Sequence, residues 1–280
     1  MKLAIKLLVI LLLFAPLVAS ADYIEPSAVK ISTKKYIPKH SDFSIGEYVY
    51  KISWQGIPVA SAKVDVNQPE SNGMWRVSAG AKTGEWISVF YSLRFDSESS
   101  FNRENFQPSV FKTKQIENSR KKAKEVKFMP GGFIKADAFK DGKKNETISF
   151  QSDNQTLDPI SAAFLARSLP IKVGSKKSFD VFNGKHRFLI TFTVDGKENL
   201  KLKNNKLVEC FTVTPTVVKL TDTEGEKRLR SARIWITTDE KREVVKLESS
   251  VLIGSVKAEL ERFVPAKDQN QPVTLVKVMH

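Results

Sequence analysis

Hydrophobic alternation at period two, renewed after short turn signals, limits what this chain can become more than any other feature. In Tyr48-Val49-Tyr50-Lys51-Ile52-Ser53-Trp54 the even positions carry Tyr, Tyr, Ile and Trp, while Lys51 and Ser53 lie opposite. Successive side chains of a strand point to opposite faces, so this run makes one apolar and one mostly polar face. Gln55-Gly56-Ile57-Pro58 breaks it and Val59 to Val66 resumes it. The same reading applies to Met74–Lys82, Leu93–Phe101, Ser109–Asn118, Ala123–Phe128, Gly132–Phe139 and Glu146–Phe150. Further on come Lys177–Phe182, His186–Val194, Lys197–Leu202, Leu207–Thr214, Glu226–Thr237, Glu243–Ser249 and Leu252–Phe263. Ser71-Asn72-Gly73, Pro130-Gly131-Gly132 and Asp141-Gly142 supply turn chemistry, and Asn183-Gly184 and Asp195-Gly196 read as tight hairpins. Many short strands without long helical crossovers predict an all-β, antiparallel β-barrel-like or half-open barrel domain.

One helix interrupts the strands. Asp158 is an N-cap, Pro159 suits the first helical position, and Ile160 to Ser168 supplies alanines before Pro170 ends the run. A lone helix at about 158–168 amid strands is expected to plug or cap one end of the barrel. Residues 22–42 read as an extended leader, 43–264 as a single β domain and 265–280 as a polar tail.

The first 21 residues carry a different signal. Lys2 and Lys6 border an apolar run from Leu7 to Leu17, and Ala19-Ser20-Ala21 follows. This is the pattern of a cleaved secretory signal peptide, and the run is too short for a permanent span of roughly 20 residues. The expected location is the periplasm, peripheral to the outer membrane at most, with no transmembrane anchor after cleavage. Export also bears on the formal charge of +14, which becomes +12 once Lys2 and Lys6 leave. It discounts nucleic acid and directs the charge toward anionic envelope surfaces. Cys210 is the one cysteine, so no internal disulfide can form; its strand-like setting predicts a buried packing residue.

Several segments carry a family resemblance. Gly46 to Ile57 with Ala60-Ser61-Ala62, then Phe90-Tyr91-Ser92-Leu93, open it. Asp158-Pro159-Ile160-Ser161-Ala162-Ala163, Arg167-Ser168-Leu169-Pro170 and Val173-Gly174 continue it. Ile234-Trp235-Ile236-Thr237-Thr238-Asp239 and Leu252-Ile253-Gly254-Ser255-Val256 close it. In order and spacing these resemble the bacterial domain-of-unknown-function 3108 family over roughly residues 43–263. The resemblance implies an envelope protein with an antiparallel, barrel-like β fold, and no established catalytic chemistry.

Catalytic constellations are scarce. His40, His186 and His280 are scattered, no cysteine cluster accompanies them, and no nucleophile elbow, P-loop or dinucleotide fingerprint occurs. His186 shares parity with Phe188, Ile190 and Phe192 and reads as structural. Arg94, Asp96 and Glu98 point the same way along one strand, either as an acid–base group or as a solvated, self-paired face. No metal, cofactor or catalytic residue is expected, and the chain is read as non-enzymatic.

Two groups are candidate binding residues. Trp54, Trp86, Phe90, Tyr91, Phe164 and Trp235 come from the family-like segments. In a wide barrel they would line a pocket for an acyl chain, with Gly84 to Tyr91 folding Trp86 and Phe90 inward; in a narrow one they are core. Lys112, Lys114, Arg120, Lys121, Lys122, Lys124 and Lys127 oppose only Glu117 and Glu125 around a hairpin tip at Asn118-Ser119-Arg120. They would touch lipid phosphates, or merely keep a soluble hairpin from edge pairing. The leading expectation is an envelope protein that holds a lipid or lipopolysaccharide-like amphiphile in its barrel, residues 112–127 meeting the phosphates. The alternative is a structural or protein-interaction module supporting envelope integrity without a small ligand.

Overall fold

The computed structural model describes residues 24–39, 42–203, 205–221, 232–250 and 254–266. The expected signal segment, His40, His280, the start of the strand expected from Glu226, Leu252 and nearly all of the expected tail lie outside them.

Fourteen strands among the described residues form one antiparallel sheet. The first eight are β1 (Gly46–Trp54), β2 (Ile57–Val66), β3 (Met74–Thr83), β4 (Leu93–Asn102), β5 (Pro108–Glu117), β6 (Arg120–Phe128), β7 (Phe133–Lys140) and β8 (Lys143–Gln151). After a helix come β9 (Lys176–Phe182), β10 (Arg187–Lys201), β11 (Leu207–Lys219), β12 (Ala232–Thr237), β13 (Val244–Ser250) and β14 (Ser255–Pro265). Each strand pairs with its neighbour in sequence except β8 with β9, and β14 returns to β1, Tyr48 opposite Phe263 and Ile52 opposite Ala258. The sheet is thus an almost complete ring whose order runs from β8 round to β9. A one-turn helix, α1 (Glu85–Ser88), joins β3 to β4, and α2 (Pro159–Ser168) joins β8 to β9.

Alternation decides what faces inward. Leu93, Phe95, Ser97, Ser99 and Phe101 of β4 are buried, with Arg94, Asp96, Glu98 and Ser100 between them on the outer side. One expectation fails along β10. Asp195-Gly196 is not a hairpin turn but a bulge, because β11 pairs with β10 on both sides of it and the register slips between Val194 and Gly196. A bulge absorbs one extra residue and bends a long strand where a turn would end it. The Asp195 side chain, freed from a turn role, accepts a 2.7 Å hydrogen bond from Thr214 Oγ1.

Helix α2 lies inside the roll. Its N-cap follows the sequence expectation: the Asp158 carboxylate accepts from Ile160 N at 2.8 Å and Ser161 N at 3.1 Å, and Ser161 Oγ accepts from Asp158 N. Ser99 Oγ of β4 donates to the same carboxylate at 2.6 Å, tying the helix start to the wall. Burial pushes the Asp158 carboxyl above its usual range, and these hydrogen bonds counter that. Phe164 packs 4.8 Å from Phe43 and 5.6 Å from Phe101, ring centroid to centroid, filling the side of the interior toward β4.

No ladder joins β8 to β9 among the described residues, because the two edges overlap instead of meeting. The β9–β10 turn reaches the inner face of β6. There Gly184, at φ +84°, has no side chain to block the approach: a Cβ would sit 2.9 Å from Val126 Cγ2. Phe150 of β8 and Phe182 of β9 pack edge-on at 5.0 Å. Beside them lies a buried ion pair, Asp180 and Arg187, 2.6 Å apart with side chains 0% and 3% exposed. Arg187 also donates to the backbone oxygens of Pro26 and Val29 and to Ser152 Oγ, while Asp180 accepts from Thr156 Oγ1 at 2.7 Å. The leader is therefore a strap along the overlap. Asn154 holds it at Ile31 and Thr33, and the Tyr36 ring packs tilted against Phe179, centroids 5.1 Å apart.

Removing one partner of a buried, hydrogen-bonded pair strands the other charge. Asp180→Leu or Arg187→Met is expected to cost about 3–5 kcal/mol in urea denaturation, with the two together costing clearly less than the singles summed. Additive losses would show that the pair does not act as a unit.

Candidate functional site

Residues Pro159, Ala162, Ala163 and Ala166 recur at helical spacing and form one stripe of α2. The stripe faces away from the packed side toward β1–β3 and β10–β13. Small side chains there fail to fill the space, and an apolar cavity of about 220 Å³ remains. Its walls are the inward residues of the sheet, among them Val64, Val77, Ile190, Phe192, Val213 and Ile234. For scale, an engineered apolar cavity of about 150 Å³ stays dry and takes up benzene.

Besides Lys63, Ser175 and Lys177 in its lining, the cavity has one built polar cluster. Tyr48 and Tyr50 project inward from β1; Tyr48 donates to Glu243 Oε1 at 3.0 Å and Tyr50 to the Val244 oxygen at 2.8 Å. Burial pushes the Tyr48 phenol up to about 12 and raises that of Tyr50 further, so both remain donors. Arg167 joins them from the last turn of α2. It donates to the Arg242 oxygen at 2.8 Å and the Lys241 oxygen at 3.1 Å, and its guanidinium lies 4.7 Å from the Phe43 ring and 4.9 Å from the Phe164 ring. Burial lowers its pKa, with Tyr48, Tyr50 and Glu243 opposing that fall. No carboxylate among the described residues forms an ion pair with it. The arrangement is an apolar chamber with a fixed cation and two hydroxyls at its margin.

The expected aromatic site is largely dispersed. Phe164 lines the cavity. Trp54 is half-buried against the core, and Tyr91 is buried with its hydroxyl donated to Glu117 at 2.9 Å. Trp86 and Phe90 point outward, not into the interior, because α1 is anchored through Ile87 and Tyr91 and turns its other side to solvent. Trp235 belongs to a small cluster with Cys210 and Val245 on the face opposite Ile234 and Ile236, and its indole N–H donates to Glu198. The sequence reading missed Arg167, Tyr48, Tyr50 and the small stripe. The spacing of Pro159, Ala162, Ala163 and Ala166 was the visible signal for the last of these.

The basic segment does not line the cavity. Lys112 and Lys114 are exposed on the outer face of β5; Arg120, Lys121 and Lys122 crowd the β5–β6 tip, and Lys127 pairs with Glu125 at 3.7 Å. Lys124 differs. It is half-buried on the inner face of β6 beneath the β9–β10 turn, its ammonium donating to the Asn183 oxygen at 3.4 Å. His186 is buried with Nδ1 3.0 Å from Thr221 Oγ1, a structural role. Arg94 pairs with Asp96 at 2.8 Å on the outer face.

The family model described as "Protein of unknown function (DUF3108)" matches residues 49–261. The chain belongs to the DUF3108 family. Among solved structures it is similar to a beta-barrel-like protein of domain of unknown function DUF1849 from Brucella abortus. That likeness has 10% identity and a TM-score of 0.54, and covers 81% of this chain and 99% of that one. A candidate lipoprotein from Parabacteroides distasonis matches with 11% identity and a TM-score of 0.34, over 82% of this chain and 100% of that one. No curated protein matches. The Brucella likeness bears out the barrel-like fold of the DUF3108 chain.

Two titrations follow from these environments. Burial, reinforced by Glu198, Asp239 and Glu209, pushes the Cys210 thiol up to about 11. The native protein should resist iodoacetamide at pH 8 and react promptly once unfolded; fast native alkylation would contradict the burial. Burial, with Lys185 and Lys122, holds Lys124 down to about 8, against 10.5 unfolded. The unfolded chain then binds the extra proton between these values, so this group's penalty is full below pH 8 and fades as pH rises to 10.5. Lys124→Met should raise the denaturation midpoint at pH 7, by an amount that shrinks toward pH 10.5.

Proposed function

We propose that the protein is a non-enzymatic, exported envelope protein that holds the hydrocarbon chain of an amphiphile in the chamber between α2 and the sheet. The observation that carries this reading is the apolar cavity of about 220 Å³, kept open by the alanine stripe. A void lined by Val, Ile, Phe and Ala is a poor host for water and a good one for methylenes. Arg167, Tyr48 and Tyr50 supply a few placed polar groups at its margin, the combination that small-molecule sites use to orient an apolar ligand. Arg167 therefore takes the part that the sequence reading assigned to residues 112–127: it is the cation placed to face an anionic headgroup. The signal-like N-terminus supports residence in the periplasm, where acyl amphiphiles are abundant.

Protein taken from the periplasm should carry a co-purifying amphiphile in native mass spectra, released by solvent extraction. Ala163→Trp places an indole in the chamber and should weaken binding of a fluorescent fatty acid by about tenfold or more while the fold is kept, as expected when a pocket loses its free volume. Protein that is empty as isolated and indifferent to Ala163→Trp would overturn the reading in favour of an interaction module without a small ligand.

A further inference from the structure

Helix α1 presents a surface that the cavity does not use. Ile87 and Tyr91, four residues apart, are buried beneath it, and the helical turn continues to Tyr91, whose N–H donates to the Ile87 oxygen at 2.9 Å. On the other side Trp86, Val89 and Phe90 are 53%, 78% and 72% exposed. Their spacing puts all three on one face. The Trp86 indole is fixed, its N–H donating to the Pro58 oxygen at 3.1 Å, and Ile57 beside Pro58 is exposed as well. Scattered exposed apolar residues are ordinary, but three large neighbours held out by an anchored turn form a contact patch.

Position and charge say what the patch meets. In an antiparallel meander the connections that follow β1, β3, β5 and β7 all lie at one end of the roll, so α1 shares that end with the β5–β6 and β7–β8 tips. Those tips carry exposed Arg120, Lys121 and Lys122, then Lys140 and Lys143. Just below α1, Lys82 pairs with Arg94, Arg94 with Ile116 and Ile116 with Lys121 across three ladders, an outer row of cations interrupted by one isoleucine. Among the described residues around α1 and these two tips the acids are fewer: Glu85 is exposed on α1, Asp96 is held by Arg94, Glu117 accepts from Tyr91, and Asp141 caps the Lys121 amide. Aromatic and aliphatic side chains ringed by lysine and arginine match the two layers of an anionic bilayer surface.

We propose that this end of the barrel docks on an anionic lipid bilayer, with Trp86, Val89 and Phe90 entering the boundary between headgroups and acyl chains and the basic tips lying against lipid phosphates. Docking needs no occupant in the cavity. Protein purified after export should float with vesicles of phosphatidylglycerol mixed with phosphatidylcholine, and far less with pure phosphatidylcholine. Trp86→Ser/Val89→Ser/Phe90→Ser, and Phe90→Ser alone to a smaller degree, should lower vesicle binding, the triple variant by at least about tenfold. Lys121→Glu/Lys122→Glu should weaken binding and flatten its salt dependence. All variants should keep the wild-type melting midpoint, and Ala163→Trp should dock normally, which separates docking from cavity occupancy. Wild-type protein that ignores the mixed vesicles at low salt would overturn the proposal. So would serine variants that bind as tightly as wild type, or that lose crosslinking to an envelope protein while vesicle binding is unchanged.

Discussion

The buried pair of Asp180 and Arg187 is the interaction on which the rest of the roll depends. A fourteen-stranded sheet ending in two free edges would splay, and backbone hydrogen bonds do not join β8 to β9. At the overlap, Arg187 instead reaches Asp180, Ser152 and two leader carbonyls, while Asp180 accepts from Thr156 and Asn154. A buried ion pair is a weak source of net stability, since desolvating two charges offsets most of their attraction. Its contribution here is geometric: drawing the overlapping edges apart would take Arg187 away from Ser152 and from the two leader carbonyls. The two side chains tie together β9, β10, the β8–α2 connection and the strap.

Overlapping edges have consequences inside. Because the β9–β10 turn tucks under β6, Lys124 is drawn into the structure, and α2 enters the roll instead of packing outside it. The helix then divides the interior. Bulky Phe164 and Leu165 fill one side with Phe43, Phe101 and Phe106, while the alanines leave the other side hollow. The same connection rule that brings α2 in at one end leaves α1 and the basic tips together at the other. A chamber and a surface patch thus arise from one meander, at separate places and with separate chemistry.

Much of the fold was legible from the order of residues. Strand alternation along β4, the hairpin tip at Asn118-Ser119 and the Asp158-Pro159 helix start all rest on neighbours within a few positions, where local rules are strong. Asp195-Gly196 misled because a dipeptide that favours a turn is equally at home in a bulge, and the long partner strand β11 decided between them. The aromatic candidates misled for a related reason. Residue type marks Trp86, Phe90 and Trp235 as adhesive but cannot say which face of the sheet they occupy, and Trp235 sits one position out of phase with Ile234 and Ile236. Arg167 stands in the sequence only as part of a family-like segment; its role appears once the β12–β13 turn brings the carbonyls of Lys241 and Arg242 to it.

By itself the sequence determined the repeating antiparallel strands, the helix capped at Asp158 and the basic balance, since each is written in spacing or composition over short stretches. Tertiary structure alone decided how the sheet ends overlap, which side of α2 stays empty, and that the basic hairpin lies on the outer wall away from the chamber. Those outcomes depend on contacts between residues more than a hundred positions apart, such as Arg187 with Pro26, and no local pattern encodes a distance of that kind.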